Sequence, residues 1–372
     1  MNSKRWCYIL LAMMTLPSRP QQMARPDASS GQSSETSQPP PTVLLHRTPQ
    51  EREQASRVAR RIILDVVVTD QSGKPVSGLQ KTAFSLLDNN QPQPIVSFKE
   101  VDGRSANPPP HIIFMLDILN GSFEEVAYQV KAVKKYLEQD KGQLSFPTSI
   151  AVLSEAGINS GHASRDRAAL IGQLKKVQMP LPTLGFPEGY NAQRFHQSVQ
   201  SLTHLVVEQE DVPGRVLLIW MGPGWPMLSD GPYPGTPRDK RDFFGEILNL
   251  SAGFLDAQMT IDTISSPSMM RDSERPRAYY KPFLQGAQKV DQADPADLAL
   301  PVLAYQSGGL VLEDDKALEA GIAGCISDLD SYYVLAFDSL RSSQDNEYHA
   351  LRITLDEPKL SARTNASYYA RP

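Results

Sequence analysis

The stretch HIIFMLDILNG, residues 111–121, decides how the chain is read. Five apolar residues follow His111 without a break, and then comes Asp117. A run that is apolar at every position suits a strand covered on both faces. Asn120 and Gly121 suit a turn. Ser122 and Glu125 have the spacing of a capping box, which opens a helix. A buried strand that ends in a carboxylate at such a turn raises three readings for Asp117: a metal ligand, a catalytic acid or nucleophile, or a remnant of one of these. A fourth is local. Negative charge is favoured beside a helix N-terminus, so Asp117 is expected to cap the helix that begins near Ser122.

The same pattern recurs outward from this strand. Residues 149–153 (SIAVL) and 215–221 (RVLLIWM) are further apolar runs, and 259–264 (MTIDTI) and 309–313 (GLVLE) read as two more strands. Helical spacing fills the gaps between them. Val126, Val130, Val133 and Leu137 share one face of the segment after Ser122, and Leu170, Ile171, Leu174 and Val177 share one in SRDRAALIGQLKKVQ. YNAQRFHQSVQSLTHLVVEQE and RDFFGEILNLSAGFLDAQ supply two more helices, and Asp294-Pro295 suits another helix start. Strands alternating with helices over 108–328 predict an α/β domain, a doubly wound, mostly parallel sheet with helices on both faces. Ligands of such sheets bind at the carboxyl ends of the strands. The loops expected there are Ile118–Gly121, Leu184–Tyr190, Gly222–Trp225 and Ser265–Ser268.

Both flanks of this region read as β. Residues 59–104 contain a strand at 61–69, a turn over Gln71–Pro75, and two short strands joined by Asn89-Asn90. So few strands bury little core alone. SYYVLAFDS, EYHALRITLDEP and LSARTNASYYARP supply three more strands within 329–372. His349, Leu351, Ile353 and Leu355 alternate there with Tyr348, Ala350, Arg352 and Thr354, the period of a half-buried strand. The expectation is one small β-sandwich built from the N- and C-terminal segments around the α/β domain.

Bulk properties narrow the function classes. With 372 residues, 40% of them hydrophobic, the chain is long enough for two domains and a real core. A net charge of −5 and the lack of a basic, aromatic-interleaved stripe argue against nucleic-acid binding. Lys4 and Arg5 precede an apolar stretch from Trp6 to Leu16, the length of a secretory signal core and too short for a bilayer span. We read 1–18 as a signal peptide and 19–58, rich in Pro, Gln and Ser, as a disordered linker. An uncleaved anchor or a disordered tail is the alternative for the first segment. The expected location is extracytoplasmic, periplasmic or secreted, with no membrane span in the mature chain. Of the two cysteines, Cys7 lies in the signal, and Cys325 shares an apolar helical stripe with Leu318, Ile322 and Leu329, where it reads as a core residue. No Cys or His spacing resembles a zinc site. His196 and His204 read as ordinary helix residues.

The α/β region resembles a von Willebrand factor type A (VWA) domain. In that family Asp-x-Ser-x-Ser follows the first strand, and a Thr and an Asp from two other loops complete a divalent-cation site. Here Asp117 matches, but the serine positions are Leu119 and Gly121, and the third loop is Met221-Gly222-Pro223-Gly224. Thr183 is the one candidate for the second loop. Hard cations need several oxygen ligands, so no tight metal site is expected, only a weak Mg2+ remnant at Asp117, Asn120 and Ser122. A closer resemblance covers most of the chain. LDVVVTDQSGKPVSGLQKTAFSLLDNNQPQPIVSF, RVLLIWMGPGWP and YYVLAFDS with ASYYARP resemble, in order, motifs of the VWFA-related domain family best known from acidobacteria. Ala83 departs from that family, which often has Asp there. The resemblance implies an exported protein with a VWA-like module and implies no activity.

Other chemistries lack their residues. There is no G-x-S-x-G elbow, no P-loop and no dinucleotide fingerprint. Asp262 reads as a buried, hydrogen-bonded carboxylate, and LEDDK at 312–316 as a helix N-terminus. Trp225 and Tyr233, on a Pro- and Gly-rich loop, read either as anchors for a partner or as aromatics tucked back onto the domain. The expected function is a non-enzymatic interaction module without a cofactor. It would contact an unknown protein or peptide through Asp117, Asn120, Gly222, Gly224 and Trp225. A structural role in a cell-envelope assembly, or a hydrolase using Asp117, are the alternatives.

Overall fold

The computed structural model describes residues 60–177, 190–222, 224–227, 235–265, 279–313, 318–339, 342 and 344–370. The expected signal segment 1–18 and linker 19–58 therefore lie outside the described residues, as do Thr183 and Tyr233.

Four strands come first: β1 (Arg61–Thr69), β2 (Phe84–Asp88), β3 (Gln91–Gln93) and β4 (Ser97–Asp102). The β2–β3 turn is Asn89-Asn90, both with positive φ (47° and 62°), the conformation that a two-residue hairpin turn of the primed type demands. The alternating region follows as β5 (His111–Asp117), α1 (Phe123–Glu138), β6 (Gln143–Ser154), β7 (Gly157–Ser160), β8 (Ser164–Asp166) and α2 (Arg167–Leu174). It continues through α3 (Tyr190–Glu210), β9 (Val216–Met221), α4 (Pro237–Asp256), β10 (Met259–Ser265), α5 (Leu300–Gln306), β11 (Val311–Glu313) and α6 (Leu318–Ser327). The last strands are β12 (Ser331–Asp338), β13 (Glu347–Leu355), β14 (Ser361–Arg363) and β15 (Ser367–Ala370).

The central sheet has the order β11-β10-β9-β5-β6-β7, with β8 also paired to β6. Its pairs are parallel from β11 through β6, and β7 and β8 run antiparallel at the edge. The apolar run that opened the sequence reading sits in the middle. Its alternate residues serve two separate cores, because successive side chains of a strand point to opposite faces. Ile113 and Met115 pack with Phe195, Val199 and Leu202 of α3 and Phe243 and Leu250 of α4. Ile112, Phe114 and Leu116 pack with Val133 and Leu137 of α1, Leu170 of α2 and Ile322 of α6. Cys325 is fully buried in the second core, beside Leu318, Ile322 and Leu329. His196 and His204 lie exposed on α3.

The terminal strands form two four-stranded antiparallel sheets, β14-β1-β12-β4 and β15-β13-β2-β3. Strands from the two ends of the chain pair directly: Arg61–Val66 run against Asp338–Tyr333, and Phe84–Asp88 against Leu355–Leu351. One apolar cluster joins Leu64, Val66, Tyr333 and Phe337 of the first sheet to Leu86, Leu351, Ile353 and Tyr368 of the second. Each such fully buried side chain stabilises by roughly 1.5–3 kcal/mol. Ion pairs tie the α/β region to these strands: Arg363 to Asp328 at 2.6 Å, Arg104 to Asp330 at 2.8 Å, and buried Arg215 to Asp65 at 3.7 Å.

Candidate functional site

Asp117 ends β5 at the carboxyl edge of the sheet, level with Leu153 of β6, and its side chain is fully buried. The chain turns at once. The backbone N–H of Gly121 donates to the Asp117 carbonyl at 3.2 Å, and a Cβ at position 121 would stand 2.8 Å from that oxygen. Close backbone approach explains the glycine where the resembled family places a serine. Leu119, at the other serine position, turns inward and joins the core with α3 and α4.

Asn120 fills the space facing the carboxylate. Its backbone N–H donates to Asp117 Oδ1 at 2.9 Å, and its Nδ2 straddles both carboxylate oxygens at 3.0 Å. The same Nδ2 lies 3.0 Å from Ser198 Oγ on α3. Arg194, one turn earlier on α3, donates from Nε to Asn120 Oδ1 at 3.2 Å and from Nη2 to the Asn120 carbonyl at 2.8 Å. These partners fix the amide's orientation. Rotating it by half a turn would set oxygen against carboxylate and NH2 against guanidinium. From the β9 side, Trp220 Nε1 donates to Asp117 Oδ2 at 3.2 Å. Burial raises the Asp117 pKa, and the bonds from Asn120 and Trp220, with the charge of Arg194, pull it back part of the way.

This geometry corrects the expectation that Asp117 caps α1. Ser122 itself is the N-cap of α1: its Oγ accepts from Glu125 N–H at 3.2 Å, and Glu125 Oε2 accepts from Ser122 N–H at 2.6 Å. Asp117 makes no bond to that helix's first turn, because its oxygens are taken by Asn120 and Trp220. Ser122 and Asn120 are not arranged as cation ligands here. The serine oxygen serves the helix, and Asn120 presents N–H groups, which are donors, where a cation would need lone pairs. Leu119, Gly121 and Met221 add no side-chain oxygen. The residues present do not fit the divalent cation that the resembled family holds at this edge.

Trp225 is corrected as well. It is 1% exposed and packs edge-on against Trp220, ring centroids 5.5 Å apart. The turn that brings it back needs positive φ at Gly222 (129°) and Gly224 (72°). A Cβ at 224 would stand 2.9 Å from Leu300 Cβ. Of the two readings of this aromatic, the tucked one is what the chain adopts, and Trp225 offers a partner no surface. Gly222, Gly224 and Asn120 are likewise buried. The loops Leu184–Tyr190 and Ser265–Ser268 fall almost wholly outside the described residues, which include only Tyr190 and Ser265 of them.

Sequence reasoning missed the residues that complete this arrangement: Trp220, Arg194, Ser198 and Gln129. Gln129 Oε1 accepts from the Asp117 backbone N–H at 3.3 Å, while its Nε2 lies against Gly222 without a hydrogen-bond partner. A polar residue on the core-facing side of a helix is the signal for Gln129 and Ser198; Trp220 sits in an apolar run and carries none. Phe123, half exposed at 50%, was also missed.

Other buried carboxylates stand apart from this edge, Asp262, Asp88 and Asp65 among them. Asp262 accepts from Leu310 N–H at 2.8 Å; burial first and the charge of Asp328 second raise its pKa to about 6. Asp88 lies 2.7 Å from His349 Nδ1 and accepts from the Tyr368 hydroxyl at 2.7 Å. Asp65 faces Arg215. Among the described residues no group of three or more His, Cys, Asp or Glu could hold a metal ion. Among them, too, no helix is long and apolar enough to cross a membrane.

No protein-family model matches the chain, and no curated protein matches it in sequence. Solved structures that it resembles include the human COPII-coat protein Sec24c, at 11% identity and TM-score 0.34 over 74% of this chain. The chain spans about half of that protein, 46%. Manganese-loaded TRAP protein of Plasmodium vivax matches at 10% identity and TM-score 0.28, over 72% of this chain and 96% of that one. The three N-terminal domains of the type V pili tip protein Mfa5 from Porphyromonas gingivalis match at 10% identity and TM-score 0.33, over 75% and 67%.

Proposed function

We propose that the chain is an exported, non-enzymatic interaction module: a VWA-like α/β domain joined to a small β-sandwich of its two terminal segments. The observation that carries this reading is the closure of Asp117. A nucleophile, general base or metal ligand needs a lone pair within reach of a reacting atom. Both oxygens of Asp117 accept from Asn120 or Trp220, in a place with no exposure. This speaks equally against the hydrolase alternative. The VWA-like assignment draws support from the parallel sheet with β5 at its centre and from the motif resemblance. The sandwich draws support from the pairing of β1 with β12 and of β2 with β13.

With the cation's place taken by an amide and an indole N–H, recognition at the strand-end edge does not depend on divalent metal. The contact surface there is what the edge exposes, Ser122, Phe123 and Glu124, rather than the buried set around Trp225. Capture from a cell-envelope fraction by the full chain, with Mg2+ and with EDTA, tests this. The same captured protein in both, lost with Phe123→Ser, is the expected result. Capture that requires Mg2+ would refute it.

A further inference from the structure

The geometry points to a second interaction surface, away from Asp117: an open strand edge on β1 that takes an extended peptide as an added strand. In β1 the register with β12 has Arg61 opposite Asp338, and the Ser339 N–H donates to the Arg60 carbonyl at 3.1 Å. Backbone bonding alternates along an antiparallel strand. Ile62, Leu64 and Val66 therefore bond toward β12, and Arg61, Ile63 and Asp65 turn their N–H and C=O groups to the opposite edge. The far end of β1 obeys the same alternation. Val68 accepts from Val76 on the β12 side, while Val67–Thr69 pair with β14 on the other. Strand β14 covers those three residues only, so no described strand pairs with Arg61–Val66 on that edge.

The Arg61–Ile63 end of this edge borders a groove of about 820 Å³, within the range of roughly 300–1,000 Å³ typical of ligand sites. Ile62 and Ile63 form one wall, Tyr368 of β15 another, and Leu248, Ala252 and Leu255 of α4 the roof. Ile63 is 46% exposed, although it lies inside a strand. Unpaired backbone groups along a strand are a template for another chain, and main-chain bonds beside apolar pockets are the chemistry of strand addition. An added strand here continues the line of β14. Its alternate side chains would enter the space between the two terminal sheets, beside Ile62, Leu255 and Tyr368, and the others would face out. The occupant is thus an extended peptide with apolar residues at every second position.

The test titrates the full chain into a fluorescent, capped octapeptide of alternating valine and threonine with a lysine at each end. Saturable binding in the range of about 10–500 µM, with slowed hydrogen exchange of the Ile63 amide, is expected. Ile63→Pro removes an outward N–H and no β12 bond, and Ala252→Arg fills the groove; each should weaken binding about tenfold or more. Should the proline variant fail to fold, the arginine variant carries the test. Three results would each overturn the proposal: no saturation up to about 1 mM peptide, an Ile63 amide already protected in the free chain, or a concentration-dependent dimer that Ala252→Arg abolishes, which would make a second copy the occupant.

Discussion

The two ends of β9 each meet a buried carboxylate, and they treat it in opposite ways. At the carboxyl end, Trp220 and Asn120 surround Asp117 with N–H donors at 2.9–3.2 Å, and both oxygens are satisfied. At the amino end, Arg215 meets Asp65 at 3.7 Å, and Asp65 Oδ2 and Arg215 Nε lack hydrogen bonds. There the guanidinium also lies 4.9 Å over the Tyr332 ring and donates to the Asp328 carbonyl at 3.2 Å. A carboxylate held by well-aimed neutral donors needs no cation, and one held by a distant charge retains much of its burial cost. At the upper end the carboxylate is satisfied by local donors. The lower end is a junction that holds the terminal sheets to the α/β region.

Removing the terminal sheet strands should have the largest effect. A chain ending at Asp328 loses β12–β15, and with them the partners of β1, β2 and β4. We expect far-UV circular dichroism to show the N-terminal strands lost and the cooperative melt gone. A truncated chain that keeps its β signal and a sharp transition would show that the lower junction is dispensable. Next comes Trp225→Ala, which empties core space against Trp220. It should cost about 3–5 kcal/mol in urea unfolding, and a cost under about 1 kcal/mol would mean that the upper end does not rest on this packing.

Asp117→Ala should cost about 2–5 kcal/mol, because it leaves the Asn120 and Trp220 donors buried without an acceptor. A loss of only about 1 kcal/mol would fit a simple helix cap instead. The lower end responds to pH. Burial, offset by Arg215 and Gln258, raises the Asp65 pKa to about 6 from an ordinary 3.8. A raised carboxyl pKa means that the folded state holds its proton longer than the unfolded one. Its contribution is present below pH 3.8 and is lost as pH rises through about 6. The full swing is about 3 kcal/mol. Asp65→Asn should flatten that part of the stability profile. Asp262, Asp297 and Asp117, each raised by burial, contribute the same sign and leave a residual slope. Parallel profiles for both proteins would contradict the assignment.

Much of this was legible in the sequence, for physical reasons that differ by element. Ile112–Leu116 announce a strand covered on both faces because burial on both sides tolerates no polar residue. Ser122 and Glu125 announce a helix start because the bonds that cap it are local. Asn89-Asn90 mark a turn because few other residues accept positive φ. The fate of Asp117 was not legible. Its partner Trp220, and Arg194, which holds Asn120, lie 103 and 77 positions away along the chain, and no local pattern says that they converge. Trp225 misled for a related reason. A tryptophan among glycines and prolines reads as an exposed loop residue until Gly222 and Gly224 are seen folding it under. The open edge of β1 was hidden too, since a strand's own sequence does not reveal that β14 stops three residues along it.

In the proposed function N–H groups, not a cation, hold Asp117. Calorimetric titration of the full chain with Mg2+, Mn2+ and Ca2+ tests it most directly. No saturable heat is expected with any of the three up to about 1 mM, and the same melting temperature in EDTA as in metal. Stoichiometric binding with a Kd of about 1–10 µM, abolished by Asp117→Ala in a variant that still folds, would contradict it and make Asp117 a ligand.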